Sequence, residues 1–341
     1  MKRKDCYRVA VIGCGNIAMT GHLPAVLEHP RFDLRGLCDL SVDRLNAARK
    51  LCESRDVAVS TNYESLIADH EFDACILALH PEHSVEIAIA LLKSGIAVLG
   101  EKPLATNVAD GMRLAKTVEE TSGIYQIGFC LRYSELFREV ATMTKSIGRP
   151  SLFQVAVYDE SLDQCRGAYG ETIHGILRRS SAITHEGSHV IDWMSVLHSA
   201  SIRAVHASAM KTLDELPGPN FWVCKFDYAD GSTLQLNIGW VLRNQPPTSL
   251  RILGPNGWLD VVLFQGTGHF ASGPETKQLR LPPMRQCWRE QLDAFAEAID
   301  RGKATVATVH DGLRALRATL ACEQSVAENR TLTLEDETRV G

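Results

Sequence analysis

Apolar and polar positions follow two different arrangements along the chain, and the change falls near residue 130. Before it, short apolar runs at 7–12, 33–38, 57–59, 73–79, 96–99 and 124–129 alternate with stretches of helical spacing. One such stretch, 84–93, puts Val85, Ala88, Ile89 and Leu92 on one face, and Gly95 lies just beyond it as a C-cap. Strands separated by helices predict βαβ units and hence a parallel, doubly wound sheet. Six strands suffice for the dinucleotide-binding order 3-2-1-4-5-6. No internal repeat of fixed period interrupts the pattern.

Beyond residue 130, strand-like runs at 152–158, 203–210, 221–228, 232–239, 250–253 and 258–262 follow one another with no helical pattern between them. Asp230-Gly231 and Pro255-Asn256-Gly257 are hairpin turn signals, so the runs predict a largely antiparallel open sheet. Two amphipathic helices close the chain. The first carries Trp288, Leu292, Phe295 and Ile299 on one face with Gly302 after it, and the second carries Leu313, Leu316 and Leu320. The expected fold class is α/β: an N-terminal Rossmann domain over 1–130 with a doubly wound parallel sheet, then an α+β domain over 131–341.

A length of 341 residues suits two domains of roughly 150 residues each. Hydrophobic residues at 45% and charged residues at 23% are ordinary globular composition. Lys plus Arg number 36 against 41 Asp plus Glu, a net charge of -5, so neither nucleic acid nor an anionic membrane is an expected partner. Ten cysteines are scattered singly with no C-x-x-C pair, which argues against a zinc ribbon and suits a reducing cytosol. The basic start Met1-Lys2-Arg3-Lys4 precedes an apolar run too short for a signal peptide, and Gly13-Cys14-Gly15-Asn16 ends that run with turn chemistry. A cytoplasmic chain without a membrane span is expected.

The first strand runs into Gly13-Cys14-Gly15-Asn16-Ile17-Ala18, a G-x-G-x-x-A pattern. Gly13 allows a tight turn, Gly15 lets the backbone approach a pyrophosphate, and Ala18 is small enough for close helix–strand packing. Asp39 ends the second strand about 20 residues further on, where a carboxylate accepts both ribose hydroxyls and repels a 2′-phosphate. Leu40 and Ser41 offer no cation there, although Arg44 is near. NAD is therefore expected rather than NADP. The competing reading is a glycine turn that binds nothing.

Ligands of doubly wound sheets bind beyond the carboxyl ends of the strands. That rule nominates Gly13, Gly15, Asn16, Ile17, Asp39, Leu79, His80, Pro81, His83 and the run Gly100-Glu101-Lys102-Pro103. Lys102, just after a buried strand, is aimed into the crevice, although taken alone it reads more readily as a surface lysine in a βα loop.

Glu101-Lys102-Pro103, combined with the glycine turn, resembles the glucose–fructose oxidoreductase / inositol dehydrogenase / MocA family. His80-Pro-Glu-His83 is similar to the family's P-P-x-H segment, with His80 in place of the first proline. Arg132-Tyr133 matches the Arg–aromatic pair that opens its second domain, and His310-Asp311-Gly312 its D-G turn before the last helix. The resemblance implies an NAD(P)-dependent oxidoreductase acting on secondary hydroxyls of sugars, sugar derivatives or cyclitols. It implies Glu101, Lys102 and Arg132 among the cofactor-binding residues. Lys102 would hydrogen-bond the reacting hydroxyl, with Glu101 helping to position it. It also implies a homodimer or homotetramer joined through the exposed face of the second domain's sheet.

The family pattern D-x-G-x-H-x-x-D corresponds to His185-Glu186-Gly187-Ser188-His189-Val190-Ile191-Asp192. His189 falls on the family histidine, the expected general base, and Asp192 on a structural aspartate. His185 stands where the family carries aspartate, so it is a candidate proton relay with a structural role equally open. The same residues spell H-E-x-x-H, the zinc-protease signature. Gly187 inside the supposed helix and the absence of a third ligand at a defined spacing argue against it, and no metal is expected. His174, Arg178, Arg179, Tyr158, Glu160, Tyr169 and Trp240 are candidates for contacting a hydroxylated substrate, although surface charge and core packing account for them too. Two alternatives keep the fold: redox-assisted glycoside cleavage or elimination with recycled NAD, and a non-catalytic NAD(P) sensor.

Overall fold

In the computed structural model, which describes residues 5–52, 55–304 and 306–334, the early apolar runs become a fully parallel sheet. Its strands are β1 (Tyr7–Ile12), β2 (Phe32–Cys38), β3 (Ala58–Ser60), β4 (Ala74–Leu77), β5 (Ala97–Gly100) and β6 (Tyr125–Ile127). They lie in the order β3-β2-β1-β4-β5-β6, the arrangement expected of a dinucleotide-binding sheet. The crossovers are α1 (Leu23–Glu28), α2 (Val42–Leu51), α3 (Tyr63–Asp69), α4 (Pro81–Lys93) and α5 (Val108–Thr121). Every residue of β4 and β5 is buried, which is why these strands read as unbroken apolar runs rather than alternating ones. Ser41, Asn62 and Asn107 cap α2, α3 and α5 by accepting a backbone N–H from the residue three places on. The helix after β1 opens with a π turn, Ala18–His22, before α1, an irregularity the sequence pattern did not announce.

The chain divides into two compact units, 1–130 with 287–316, and 131–286 with 317–341. A single cut at 130, with everything after it in one domain, is therefore corrected for the closing helices, α9 (Trp288–Arg301) and α10 (Val309–Glu328). All of α9 and the first turns of α10 belong to the first unit. The reason is packing: Leu292, Phe295 and Ile299 join the core under β1 and β2, and Phe295 stacks on Phe32 with ring centroids 5.8 Å apart. Polar contacts agree, since Tyr7 donates to Asp300 at 2.6 Å and Arg31 pairs with Asp300 at 2.9 Å.

Among the described residues the second unit holds nine strands: β7 (Leu152–Asp159), β8 (Ile202–Met210), β9 (Phe221–Tyr228), β10 (Thr233–Trp240), β11 (Ser249–Gly254), β12 (Gly257–Val262), β13 (Thr267–Ser272), β14 (Glu275–Arg280) and β15 (Leu332–Thr333). Their order is β14-β13-β12-β11-β7-β10-β9-β8-β15, antiparallel throughout except for β7 with β10. Pro255 and Asn256 form the tip between β11 and β12, where Gly254 pairs with Gly257. Buried positions alternate along β9, so one face of the sheet is core and the other is open.

The expectation of strands without intervening helices fails here. α6 (Glu135–Ile147) precedes β7, and α7 (Gly167–Arg179) and α8 (Ser188–Leu197) separate β7 from β8. In α8 nearly every side chain is buried, so no amphipathic period marks it. β14 escaped notice for the opposite reason: five of its six residues are exposed, leaving no apolar alternation to read. All ten cysteines are free and eight are buried, in keeping with use as small hydrophobes. Among the described residues no helix is long and apolar enough to cross a membrane, and Met1–Lys4 lie outside those residues.

Candidate active site

On the first unit, the nominated residues gather at the carboxyl ends of β1, β2, β4 and β5. Gly13 has φ +94°, and a Cβ there would collide with the Ala78 carbonyl oxygen, so this turn admits only glycine. A Cβ at Gly15 would meet nothing within 4 Å, so no neighbour within the fold demands glycine there. Asn16 is exposed, Ile17 half-buried, and Ala18 fully buried where close packing was expected.

Asp39 is buried at 8% exposure, yet ionised by its surroundings. Its Oδ2 accepts the Cys14 N–H at 2.8 Å and its Oδ1 the Ser41 N–H at 2.8 Å. Arg44, brought back by the first turn of α2, donates from Nε at 3.0 Å and pairs through Nη2 at 2.8 Å. Burial alone would raise the carboxyl, but the guanidinium and the two backbone donors outweigh it, and Asp39 titrates below its ordinary value. The Cys14 thiol, buried beside this charge, is pushed up to about 12 and stays protonated.

Leu79 is half-buried; His80, exposed, is the N-cap residue of α4, with Pro81 buried in its first turn and His83 exposed beside Glu82 at 3.4 Å. Glu101 is buried at the end of β5, and Lys102 next to it is half-buried. One Glu101 oxygen accepts the Lys102 backbone N–H at 3.2 Å, and the other pairs with His22 Nε2 at 2.7 Å. Tyr125 and Cys130 lie close by. Burial, with the Glu101 charge second, raises both and keeps them protonated.

Arg132 falls in the second unit, where its guanidinium pairs with the buried Asp192 at 3.3 Å. His185 and Glu186 lie in a second π turn, Ile183–Gly187, which leads into α8. His189 is in the first turn of α8, buried at 8% exposure, with Asp192 deeper in the same helix. His185 is partly exposed and tilts against Trp240, ring centroids 5.8 Å apart. The π turn is anchored from α10: Ser181 and Thr184 both donate hydroxyl protons to Glu323 Oε1, the latter at 2.7 Å. Among the described residues, no group of three or more His, Cys, Asp or Glu side chains could hold a metal ion.

The substrate candidates separate. Trp240 is a core residue at 2% exposure, whereas Tyr169 is exposed and donates to Glu160 at 2.6 Å. Tyr158 stacks on Phe221, and burial raises its phenol. Arg178 and Arg179 are exposed in the last turn of α7, with His174 half-buried one turn earlier.

Comparison with known proteins finds a match over the first unit and full-length relatives of lower identity. Residues 7–129 match the family model described as an oxidoreductase family with an NAD-binding Rossmann fold. Over those residues the chain resembles the glucose–fructose oxidoreductase / inositol dehydrogenase / MocA family. It is similar to the inositol 2-dehydrogenase of Acidothermus cellulolyticus, 26% identical over 304 residues that cover 84% of this chain and 83% of that protein. Among solved structures, myo-inositol 2-dehydrogenase from Lactobacillus plantarum superposes with a TM-score of 0.82 at 19% identity, covering 97% of this chain and all of that one. Scyllo-inositol dehydrogenase from Lactobacillus casei, solved with NAD(H) and scyllo-inositol, gives 0.81 at 16% identity over 96% and 99% of the two chains. At these identities the solved structures speak for the fold.

Sequence reasoning missed His22, Arg44's full grip on Asp39, and Glu323. His22 had one readable signal, a lone imidazole in the apolar run between Ile17 and Leu27. Glu323 had none, because its partners are remote in sequence.

Proposed function

We propose that this chain is a member of the family it resembles and transfers hydride between NAD, in preference to NADP, and a carbon bearing a secondary hydroxyl in a sugar, sugar derivative or cyclitol. The observation that carries this reading is the pairing of two features on one sheet edge. One is a Gly13–Gly15 turn whose second glycine answers to no neighbour in the fold; the other is a buried, ionised Asp39 at the end of β2. Open backbone over Gly15 fits a pyrophosphate passing close to it, and the Asp39 carboxylate fits a ribose diol. Asn16, Ile17, Leu79, His80, Pro81, His83, Glu101 and Lys102, all in segments beyond strand ends of the same sheet, would hold the remainder of the dinucleotide.

When bound, the nicotinamide supplies the hydride acceptor or donor. Lys102 donates a hydrogen bond to the reacting oxygen and steadies the negative charge that develops there. His189 takes the hydroxyl proton on its imidazole during oxidation and returns it during reduction, with His185 as the relay. Arg132, which the resemblance assigns to the cofactor, is also tied to Asp192 and so fixes α8. Inositol dehydrogenases among the relatives, one of them solved with NAD(H) and scyllo-inositol, support a polyhydroxylated substrate. We further propose that the open face of the nine-stranded sheet joins copies of the chain into a dimer or tetramer.

The test is a titration with NADH and NADPH, read by quenching of the five tryptophans and by thermal shift, on the wild type and Asp39→Ala. NADH should bind more tightly than NADPH, and Asp39→Ala should lose most of that preference. Tighter NADPH overturns the cofactor choice, and binding of neither overturns the oxidoreductase reading.

A further inference from the structure

The proposed reaction uses Glu101 and Lys102, but the group that fixes Glu101 comes from elsewhere in the first unit. His22, at the end of the π turn after β1, is 1% exposed. Its Nε2 lies 2.7 Å from Glu101 Oε1, while Oε2 accepts the backbone N–H of Lys102. An ionised carboxylate only accepts, so Nε2 is the donor in this pair. The space that Glu101 needs is built in, because a Cβ at Gly128 would lie 2.9 Å from Oε1.

His22 is itself held. Trp288, at the start of α9, packs edge-on against its ring with centroids 4.8 Å apart. That indole occupies the place a side chain at Gly21 would fill, since a Cβ there would come 2.6 Å from the ring. The π turn, Gly21, Trp288 and Gly128 all converge on one buried imidazole–carboxylate contact.

We propose that His22 is a positioning residue: by donating to Glu101 Oε1 it holds the carboxylate so that Oε2 keeps its grip on the Lys102 backbone, which sets where the Lys102 side chain starts. This rests on Lys102 acting on the reacting oxygen as proposed above. Displacing a catalytic group by about an ångström costs on the order of 100-fold in rate. The contact therefore matters for turnover more than for cofactor affinity.

The experiment compares His22→Leu, which removes the donor, with His22→Gln, which keeps one. Turnover is measured on a sugar and cyclitol panel with NAD, and hydrogen exchange at the Lys102 amide is measured without substrate. His22→Leu should lower kcat by about 10- to 100-fold, with KM and NADH affinity changed by less than about threefold. It should also speed exchange at Lys102, and His22→Gln should restore most of both. Equal losses in the two variants would assign His22 to packing and overturn the proposal. So would an unchanged Lys102 amide in His22→Leu. Should His22→Leu not fold, His22→Gln and Glu101→Gln, singly and combined, carry the test: losses that do not add support the link, and additive losses reject it. A wild type that turns over no polyol defeats the proposed function, and the exchange measurement still judges His22 by itself.

Discussion

At the scale of single residues, Lys102 and His189 divide the proposed chemistry, and each has its own signature. Lys102→Ala should keep NADH binding, because the cofactor's other contacts remain, and should lower turnover by about 100-fold or more. Unchanged turnover would remove Lys102 from the mechanism. His189→Ala should slow the reaction and abolish the limb of the pH–rate profile set by the base, read in a direct comparison of profiles. An inflection left in place would name another residue as the base. Gly13 and Asp39 were legible in the sequence because their requirements are local: one turn, and one strand end a fixed distance along. His22 was not, since a histidine amid apolar neighbours reads as core until its partner, 79 residues away, is known.

At the scale of elements, periodicity placed the strands of both sheets closely where one face or both faces were apolar. It failed where burial was complete, as in α8, and where it was nearly absent, as in β14. The end of α8 carries a consequence for stability. His198, its C-cap residue, is buried against Phe153 and Tyr228 and lies 3.3 Å from Asp230, with Arg149 also pairing to that aspartate. Burial lowers His198 below its ordinary value of 6.5, against the opposing pull of Asp230. The folded chain thus favours the neutral ring, while the unfolded chain gains a proton as pH falls through about 6.5. Stability is full above that pH and declines below it. In melting curves between pH 7.5 and pH 5.5, about one unit either side of that value, His198→Gln should lose less stability on acidification than the wild type. An identical decline would assign it to other groups, His29 foremost, which burial also lowers.

At the scale of the whole molecule, the chain leaves its first unit at residue 130 and returns at 287. That return supplies Phe295 to the core and Trp288 to the His22 contact, so the first unit is complete only with residues from near the C-terminus. On the second unit, the open sheet face forms a groove of about 540 Å³ among Gln154, His206, Lys225, Gln235, Arg251 and Asp260. The exposed side chain of Val223 stands on the same face. Light scattering on the purified chain should give a dimer or tetramer, and a clean monomer at micromolar concentration would reject the proposed contact.

The sequence by itself determined the order of the parallel sheet, the glycine turn, the Asp39 strand end and the family resemblance, because each depends on spacing within a short segment. Tertiary structure decided the rest: that α9 belongs with the N-terminal sheet, that Arg44 pairs with Asp39, that Glu323 anchors the turn bearing His185, and that His22 secures Glu101. Each of these joins groups whose meeting depends on three-dimensional packing. A periodic pattern records which face of an element is buried, but not what it is buried against.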